Sequence, residues 1–193
     1  MEDKRNDVYQ VTQKIIYILK AQEDMASGKA ALAALRHSIG KSLGDAPAVW
    51  PLLLENMPEE FLSVNGRETK EERAIYAALQ LYAMQKQGRR GKEKTDTVKN
   101  IGEALQKFRI GNGQAALDRR FVATLSAISF DIFLYQLRQL MQLAKAKGAL
   151  PLDFAALAND LYWYQMGFQK KICLRWAEAY YRTEKKAKES NRI

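Results

Sequence analysis

Apolar residues recur at intervals of three and four over most of the chain, which is the spacing that places side chains on one face of a helix. The first such stripe predicts an N-terminal helix and consists of Val8, Val11, Ile15, Ile18 and Leu19. A second helix is predicted from Ala30 to about Ser38. Three of the four prolines then fall between residues 42 and 61, so this stretch is expected to hold short, interrupted helical pieces, with Trp50 filling a core.

A longer helix is predicted from Glu68 to Lys86, with acidic residues near its start and a basic residue near its end, as the helix dipole favours. The segment 88–99 has two glycines, five basic residues and almost no apolar side chain, which predicts an exposed basic loop. A helix from about Thr97 to Phe108 follows, and then a glycine-containing linker at residues 111–113.

Four more helices are predicted after this linker. The first two continue the helical spacing through Leu117, Phe121, Leu125 and Ile128, and then through Ile132, Leu137, Leu140, Met141 and Ala144. Asp153 is placed to cap the third helix, because its carboxylate can accept hydrogen bonds from the first turn. The last helix repeats apolar residues every four positions, at Phe168, Ile172, Trp176 and Tyr180.

Composition strengthens the helical prediction. Alanine and leucine far outnumber the β-branched residues valine, isoleucine and threonine. The 193 residues, 47% of them hydrophobic, suffice for one compact domain or two small halves. We predict an all-α protein of two small helical domains: residues 1–113, which include the basic loop 88–99, and residues 114–193, which form a four-helix bundle.

The net charge of the chain favours a negatively charged binding partner. Lysine and arginine number 31 against 22 aspartate and glutamate residues, which gives a formal net charge of +9 at pH 7. The first 66 residues are slightly acidic, so the surplus lies in residues 67–193, and it would attract a polyanion such as a phosphate backbone. No apolar run reaches the ~18 residues of a membrane span, and no secretory signal pattern is recognisable, so we expect a cytoplasmic protein without a membrane partner.

The sequence offers little catalytic chemistry. One cysteine, Cys173, and one histidine, His37, are too few for an internal disulfide or a zinc centre, and Cys173 is expected to be a small core residue. Phosphate-binding loops and nucleophile elbows are missing, so we expect neither a cofactor nor an enzyme. The rival hypothesis is a metal-dependent nuclease that uses scattered acids, namely Glu103, Asp118, Asp131 and Asp160.

Basic residues on helix flanks are the candidates for binding a phosphate backbone. On the last helix, Lys171, Arg175 and Arg182 lie on one flank of the apolar stripe. Glu178 could instead pair with Arg175 or Arg182. The predicted nucleic-acid-binding residues are Arg36, Lys41, Arg89, Arg90, Lys99, Arg119, Arg120, Arg138, Lys170, Lys171 and Arg175.

Four clustered aromatic residues could stack on bases, as single-strand binders use aromatic platforms. They are Tyr162, Trp163, Tyr164 and Phe168. Their helical spacing favours a place in the core instead. If one of them is exposed, we expect it to be Tyr162 or Tyr164.

Several short motifs follow one another in a familiar order. They are Ala33–Ser38 with Gly44 and the segment from Pro47 to Leu54, then Asp118–Phe121, Leu137–Leu140, Asp153–Leu157, Leu161–Tyr164 and Arg175–Tyr181. In order and approximate spacing this series resembles the CasB family, the small subunit of the type I-E CRISPR Cascade complex, over roughly residues 30 to 182. The chain has Arg36-His37 where that family often has paired basic residues, and Gly102-Glu103 where it often has Gly-Arg.

The resemblance implies a non-catalytic, all-helical subunit, present as two head-to-tail copies in a crRNA-guided antiviral surveillance complex. Its implied partners are the crRNA, the target or displaced DNA strand and the other Cascade subunits. Its implied role is to bind nucleic acid without sequence preference and to stabilise the R-loop. The residues by themselves leave another non-enzymatic alternative open, a helical adaptor whose basic face binds an acidic protein.

Overall fold

The computed structural model describes residues 3–88, 97–110 and 113–182. Within these ranges the chain is helical and contains no strand, so the prediction of an all-α fold is confirmed. The α-helices are α1 Asp3–Ala21, α2 Ala26–His37, α3 Trp50–Leu54, α4 Lys70–Lys86, α5 Ile101–Gln106, α6 Gln114–Leu125, α7 Phe130–Lys147, α8 Phe154–Trp163 and α9 Gln169–Tyr181. Short 3₁₀ turns lie at Pro47–Val49 and Glu59–Phe61, and a π-helical segment, Tyr164–Phe168, joins α8 to α9.

Helix α4 lies at the centre of the molecule. Every residue from Ala74 to Gln85 is buried, which is more than the single buried face of an amphipathic helix. Helices α8, α1, α2 and α7 pack around it, so its whole circumference is covered. Thr69 and Glu72 begin α4 with a reciprocal capping box, in which each side chain bonds to the other residue's backbone N–H.

One hydrophobic core extends on both sides of residue 113. Helix α8, from the second predicted domain, packs against α4 and α1 from the first, and α9 packs against α5. The buried residues of this core run from Val8 to Tyr180. The predicted boundary therefore does not coincide with a gap in the packing, and the division into two domains stays a prediction.

The fifth helix is shorter than the sequence predicted. Helix α5 begins at Ile101 rather than near Thr97, because the preceding backbone pairs with the segment before α8. Val98 donates its N–H to the carbonyl of Pro151 at 2.8 Å and accepts from Asp153 at 2.9 Å, in an isolated parallel bridge. Asp153 then caps α8 as predicted, since its side chain accepts from the N–H groups of Ala155 and Ala156.

Three apolar residues are more exposed than predicted. Trp50 is 39% exposed and donates its indole N–H to the carbonyl of Leu43, so it does not fill a core. Ile128 is 91% exposed because it lies in the connection between α6 and α7 and not in a helix. Of the four clustered aromatics, Tyr162 and Tyr164 are buried and Phe168 is the exposed one, next to a kink at Gly167 whose φ is +96°.

No helix in the described part of the chain has the length and apolar character needed to cross a membrane.

Candidate nucleic-acid interface

Two open clefts meet on one side of α4. The larger, which we call the α4–α9 cleft, has a volume of about 720 Å³ and lies between the start of α4, the α6–α7 connection and the start of α9. The smaller, the α4–α7 cleft, has a volume of about 380 Å³ and lies between α4, α7 and the loop that follows α2. Glu68 and Arg73 line both clefts, so the two clefts adjoin, and we refer to them together as the groove.

The α4–α9 cleft places cations from two helices around an aromatic floor. The cap at Thr69 fixes the start of α4, and Lys70 and Arg73 lie three residues apart on its outer flank. Lys170 of α9 and the rings of Phe130 and Tyr164 complete this lining. The amide of Gln165 donates to the carbonyl of Lys70 at 3.0 Å and ties the π-helical segment to α4.

The α4–α7 cleft is bounded by Gly40, Lys41 and Ser42 on one side and by Tyr135 and Arg138 of α7 on the other. Two hydrogen bonds anchor the loop to its surroundings. The carboxylate of Glu68 accepts from the backbone N–H of Leu43, and the amide of Gln80 donates to the carbonyl of Ser38 at 2.7 Å. The loop wall is therefore held in place, with the exposed Lys41 side chain at the cleft.

Arg73 separates the two clefts and is held by acidic neighbours. Its guanidinium pairs with Asp131 of α7 and lies 3.7 Å from a carboxylate oxygen of Glu68. The same guanidinium stacks over the Phe130 ring, 4.9 Å from its centroid. These contacts bridge α4 and α7, and the two acids neutralise part of the positive charge of the groove.

The structure brings three of the eleven predicted binding residues to this groove: Lys41, Arg138 and Lys170. Other predicted residues lie elsewhere on the surface. They are Arg119 and Arg120, exposed on α6; Lys171, exposed on α9; Lys99, whose ammonium lies 5.7 Å from the Tyr9 ring; and the partly buried Arg36 in the last turn of α2. Arg89 and Arg90 lie outside the described residues.

Arg175 has a structural partner. It pairs with the buried carboxylate of Asp160 on α8, which also accepts from the indole N–H of Trp176 at 2.7 Å. Asp160, and not Glu178, is therefore the acid that holds Arg175 in this structure. The pair links α8 to α9, and a phosphate would have to compete with a buried carboxylate for this guanidinium.

Lys70 and Arg73 line the groove, and sequence reasoning did not select them. From the sequence, we considered only the acidic residues at the start of this helix. We did not consider the two basic residues that lie between and beside them. A usable signal was present, because two cations three residues apart lie on the same flank of a helix.

The four acids of the nuclease hypothesis do not converge. Asp118 binds Arg109, Asp131 binds Arg73 and Asp160 binds Arg175, while Glu103 lies exposed on α5. The described residues contain no group of three or more histidine, cysteine or acidic side chains that could hold a metal ion. Three of the four acids therefore form ion pairs with arginines and are not brought together in one site.

Burial raises the pKa of two further titratable groups. Burial raises the pKa of the Cys173 thiol, so little nucleophilic thiolate forms near neutral pH. Cys173 is partly buried against the core at the edge of the α4–α9 cleft, close to its predicted place. Burial and the neighbouring Asp118 carboxylate raise the pKa of Tyr180 far above its ordinary range.

Solved structures of CasB and Cse2 proteins have the same fold. CasB from Thermobifida fusca superposes with a TM-score of 0.66 at 23% identity, covering 92% of this chain and 97% of that chain. A CRISPR-associated protein of the Cse2 family from Thermus thermophilus gives a TM-score of 0.64 at 27% identity, covering 88% and 97%. CasB from Thermus thermophilus gives 0.63 at 27% identity over the same shares.

Sequence comparison points to the same family. No curated protein sequence matches the chain significantly. Residues 31–181 match the family model described as CRISPR-associated protein Cse2, and that match covers well over half of the 193 residues. The protein therefore belongs to the CRISPR-associated Cse2 family.

Proposed function

We propose that this chain is the non-catalytic small subunit of a crRNA-guided antiviral surveillance complex, where it binds nucleic acid without sequence preference and stabilises the R-loop. The observation that carries the proposal is the group of cations that lines the two adjoining clefts. These cations are Lys41 and Arg138 in the α4–α7 cleft, Lys70 and Lys170 in the α4–α9 cleft, and Arg73, which lines both. Membership of the Cse2 family supports the setting in a CRISPR complex.

The groove suits a phosphate backbone better than base edges. Its five cations face two acidic residues in the lining, Glu68 and Asp131, so its net charge is positive. Lysine and arginine contacts to phosphates are the same for every sequence, and they release counterions that contribute most of the affinity of base-blind binding. A groove of this kind predicts weak, salt-sensitive binding to DNA and RNA alike.

Backbone contacts are sufficient for a role in R-loop formation. Exchanging a DNA duplex for an RNA–DNA hybrid is nearly balanced in free energy, so additional contacts to either strand can tip it. The partners we propose are the crRNA, the target or displaced DNA strand and the other Cascade subunits. The proposal also includes self-association of the chain as two copies arranged head to tail.

A second set of exposed cations belongs to the same proposal. Arg119 and Arg120 on α6 and Lys171 on α9 project from helices outside the groove. Phosphate contacts at Arg36 and Lys99 also stay predictions. Arg119 and Arg120 line neither cleft, so their contribution can be tested separately from that of the groove.

The test is a comparison of salt dependence between double variants. Fluorescently labelled single-stranded DNA, single-stranded RNA and duplex DNA are titrated with the purified protein at several salt concentrations. We expect Lys70→Ala with Lys170→Ala to weaken binding of every sequence alike and to flatten the slope of log affinity against log salt by about 0.7–0.9 per lost contact. The pair Arg119→Ala with Arg120→Ala measures the contribution of α6 in the same assay.

The matched control is Lys107→Ala with Arg182→Ala, since both residues are exposed and line neither cleft. A groove variant that keeps the slope of this control would contradict the groove as the binding site. Tight binding to an acidic protein, without binding to bare nucleic acid, would instead support the helical adaptor.

A further inference from the structure

Arg138 is partly buried, as are Arg73 and Arg109, but it differs from both in having no acidic partner among the described residues. Arg109 and Arg73 are held by carboxylates of Asp118, Glu68 and Asp131. For Arg138, no acceptor among the described residues bonds to the guanidinium. The positive charge of Arg138 is thus partly buried without an acidic partner in the described part of the chain.

A partly buried, unpaired guanidinium is unfavourable unless an anion binds to it. A guanidinium stays protonated at neutral pH, and burying it without a partner costs free energy. Burial accordingly lowers the pKa of Arg138, with only Tyr135 and Tyr76 acting in the opposite direction. A ligand anion would restore the lost solvation through charge-assisted hydrogen bonds.

The space beside the guanidinium is open to a ligand. Arg138 lines the α4–α7 cleft of about 380 Å³, within the size range of small-ligand sites. A Cβ on Gly40 would lie 3.5 Å from an Nη atom of Arg138, so the absence of a side chain there keeps the approach clear. Lys41 lines the same cleft and adds a second positive charge.

The two acidic groups in the lining are already occupied. Glu68 accepts from the N–H of Leu43 and lies close to Arg73, and Asp131 pairs with Arg73. Neither carboxylate bonds to Arg138 in the structure. The cleft therefore contains one unpaired guanidinium and one exposed lysine. Among the described residues that line it, no carboxylate is available to pair with either of them.

We propose that the α4–α7 cleft is a seat for one phosphate group, which the Arg138 guanidinium binds with Lys41 beside it. A row of phosphates fits better than a lone carboxylate, because the cleft adjoins the α4–α9 cleft, where Lys70 and Lys170 supply further cations. The inference rests on the proposed function for its natural source of phosphate, a nucleic-acid backbone. Inorganic phosphate is the other source of the same chemistry.

The first experiment uses Arg138→Met, which removes the charge and keeps an apolar chain, and Arg182→Met as the matched control on an exposed arginine. Thermal unfolding is followed in phosphate and in chloride at equal ionic strength, and binding of a short single-stranded oligonucleotide is titrated. Wild-type protein and the control should unfold at higher temperature in phosphate, whereas Arg138→Met should not. Its oligonucleotide affinity should fall about tenfold or more, against about twofold for the control.

In chloride, Arg138→Met should be as stable as the wild-type protein or more so, because an unpaired, partly buried charge has been removed. A variant that is less stable in chloride and binds the oligonucleotide like the control would show that Arg138 is structural, and would overturn the phosphate seat.

A second pair of variants tests the cleft without removing the arginine. Gly40 and Gly66 both adopt left-handed backbone, with φ of +87° and +76°, a conformation that aspartate tolerates better than most residues. Gly40→Asp would place a carboxylate beside Arg138, whereas a side chain at Gly66 meets nothing within 4 Å. We expect Gly40→Asp to lose the stabilisation by phosphate and Gly66→Asp to keep it. Equal responses of the two variants would overturn the proposal.

The outcomes also separate this inference from the proposed function. If wild-type protein binds the oligonucleotide and Arg138→Met binds it equally well, the seat is wrong and the function stands. If phosphate stabilises the protein through Arg138 and no oligonucleotide binds, the seat stands and the proposed function fails. If polyglutamate stabilises the wild-type protein through Arg138 and phosphate does not, the ligand is a carboxylate and the phosphate seat is overturned.

Discussion

Two aspartates hold side chains that connect neighbouring helices. Asp160 on α8 accepts from the Trp176 indole and pairs with Arg175, both on α9. Asp118 on α6 accepts from Arg109 at 2.8 Å and from the Tyr180 hydroxyl at 2.7 Å. Such carboxylates stabilise the fold because they accept hydrogen bonds from buried donors, and a buried donor without an acceptor costs free energy.

Replacing Asp160 with alanine should therefore destabilise the fold markedly. The indole N–H of Trp176 and the guanidinium of Arg175 both lose their acceptor, and we expect a loss of about 2–4 kcal/mol in the free energy of unfolding. Urea denaturation at neutral pH measures it. Asp131→Ala is the control, since Asp131 is 83% exposed in its side chain and its ion pair is expected to contribute about 0–1 kcal/mol. Equal losses in the two variants would contradict the structural role of Asp160.

Asp118 should make stability dependent on pH in the acid range. Hydrogen bonds from the Arg109 guanidinium, with help from Tyr180, lower the pKa of Asp118 below its ordinary value of 3.8, although burial acts in the opposite direction. A lowered pKa in the folded state contributes stability that is complete above the ordinary value and is lost as the pH falls below it. We expect the free energy of unfolding to fall more steeply with acidification in wild-type protein than in Asp118→Asn. Urea denaturation at several acid pH values would show parallel curves if this linkage were absent.

Helices α5 and α9 are joined by a close approach of their backbones. Gly102 in the first turn of α5 is buried against α9, and a Cβ at this position would lie 2.0 Å from the carbonyl oxygen of Trp176. Asn100 caps α5 and also donates to the carbonyl of Arg175 at 3.1 Å. The six residues of α5 are therefore positioned by α9, and a short helix gains its stability from that packing.

Gly102→Ala should separate these two helices. The added methyl cannot fit without a shift of backbone, and we expect a loss of about 2 kcal/mol or more in the free energy of unfolding. Chemical denaturation measures the change. Gly44→Ala is the matched control, because its Cβ would make an ordinary contact at 3.7 Å with the Ser42 hydroxyl and should change stability by about 0.5 kcal/mol or less. A Gly102→Ala protein as stable as this control would contradict the packing.

At the scale of the whole molecule, a group of cations lines the two adjoining clefts, and three of the candidate catalytic acids are bound in ion pairs. The net charge is +9, and five cations line the adjoining clefts. Acids that could have formed a metal site are instead bound to arginines on separate helices. This arrangement supports the proposal that the chain binds a polyanion.

We expect the purified protein to leave DNA and RNA intact in the presence of Mg²⁺ or Mn²⁺. Two-metal hydrolysis needs carboxylates that converge on ions about 4 Å apart, and the described acids do not converge. Gel analysis of labelled strands after long incubation is the measurement. Cleavage that co-purifies with the protein and disappears in Asp118→Asn or Asp131→Asn would contradict this expectation.

The sequence by itself determined the helical class and most helix positions. Periodicity placed α1, α2, α4 and the four helices after residue 113, and the capping role of Asp153 followed from residue type. These features depend on interactions within a few residues, so local pattern is enough to predict them. The surplus of positive charge over residues 67–193 was likewise visible in the sequence.

Only the tertiary structure decided which of these residues meet. Lys41 and Arg138 are far apart in sequence and line one cleft, whereas Arg175 is turned to a buried acid on another helix. The same holds for Trp50 and Ile128, whose exposure depends on how the segments between helices run. Long-range pairing is set by the packing of α4 against α2, α7 and α8, and helical periodicity records only that a face is buried, not which helix covers it.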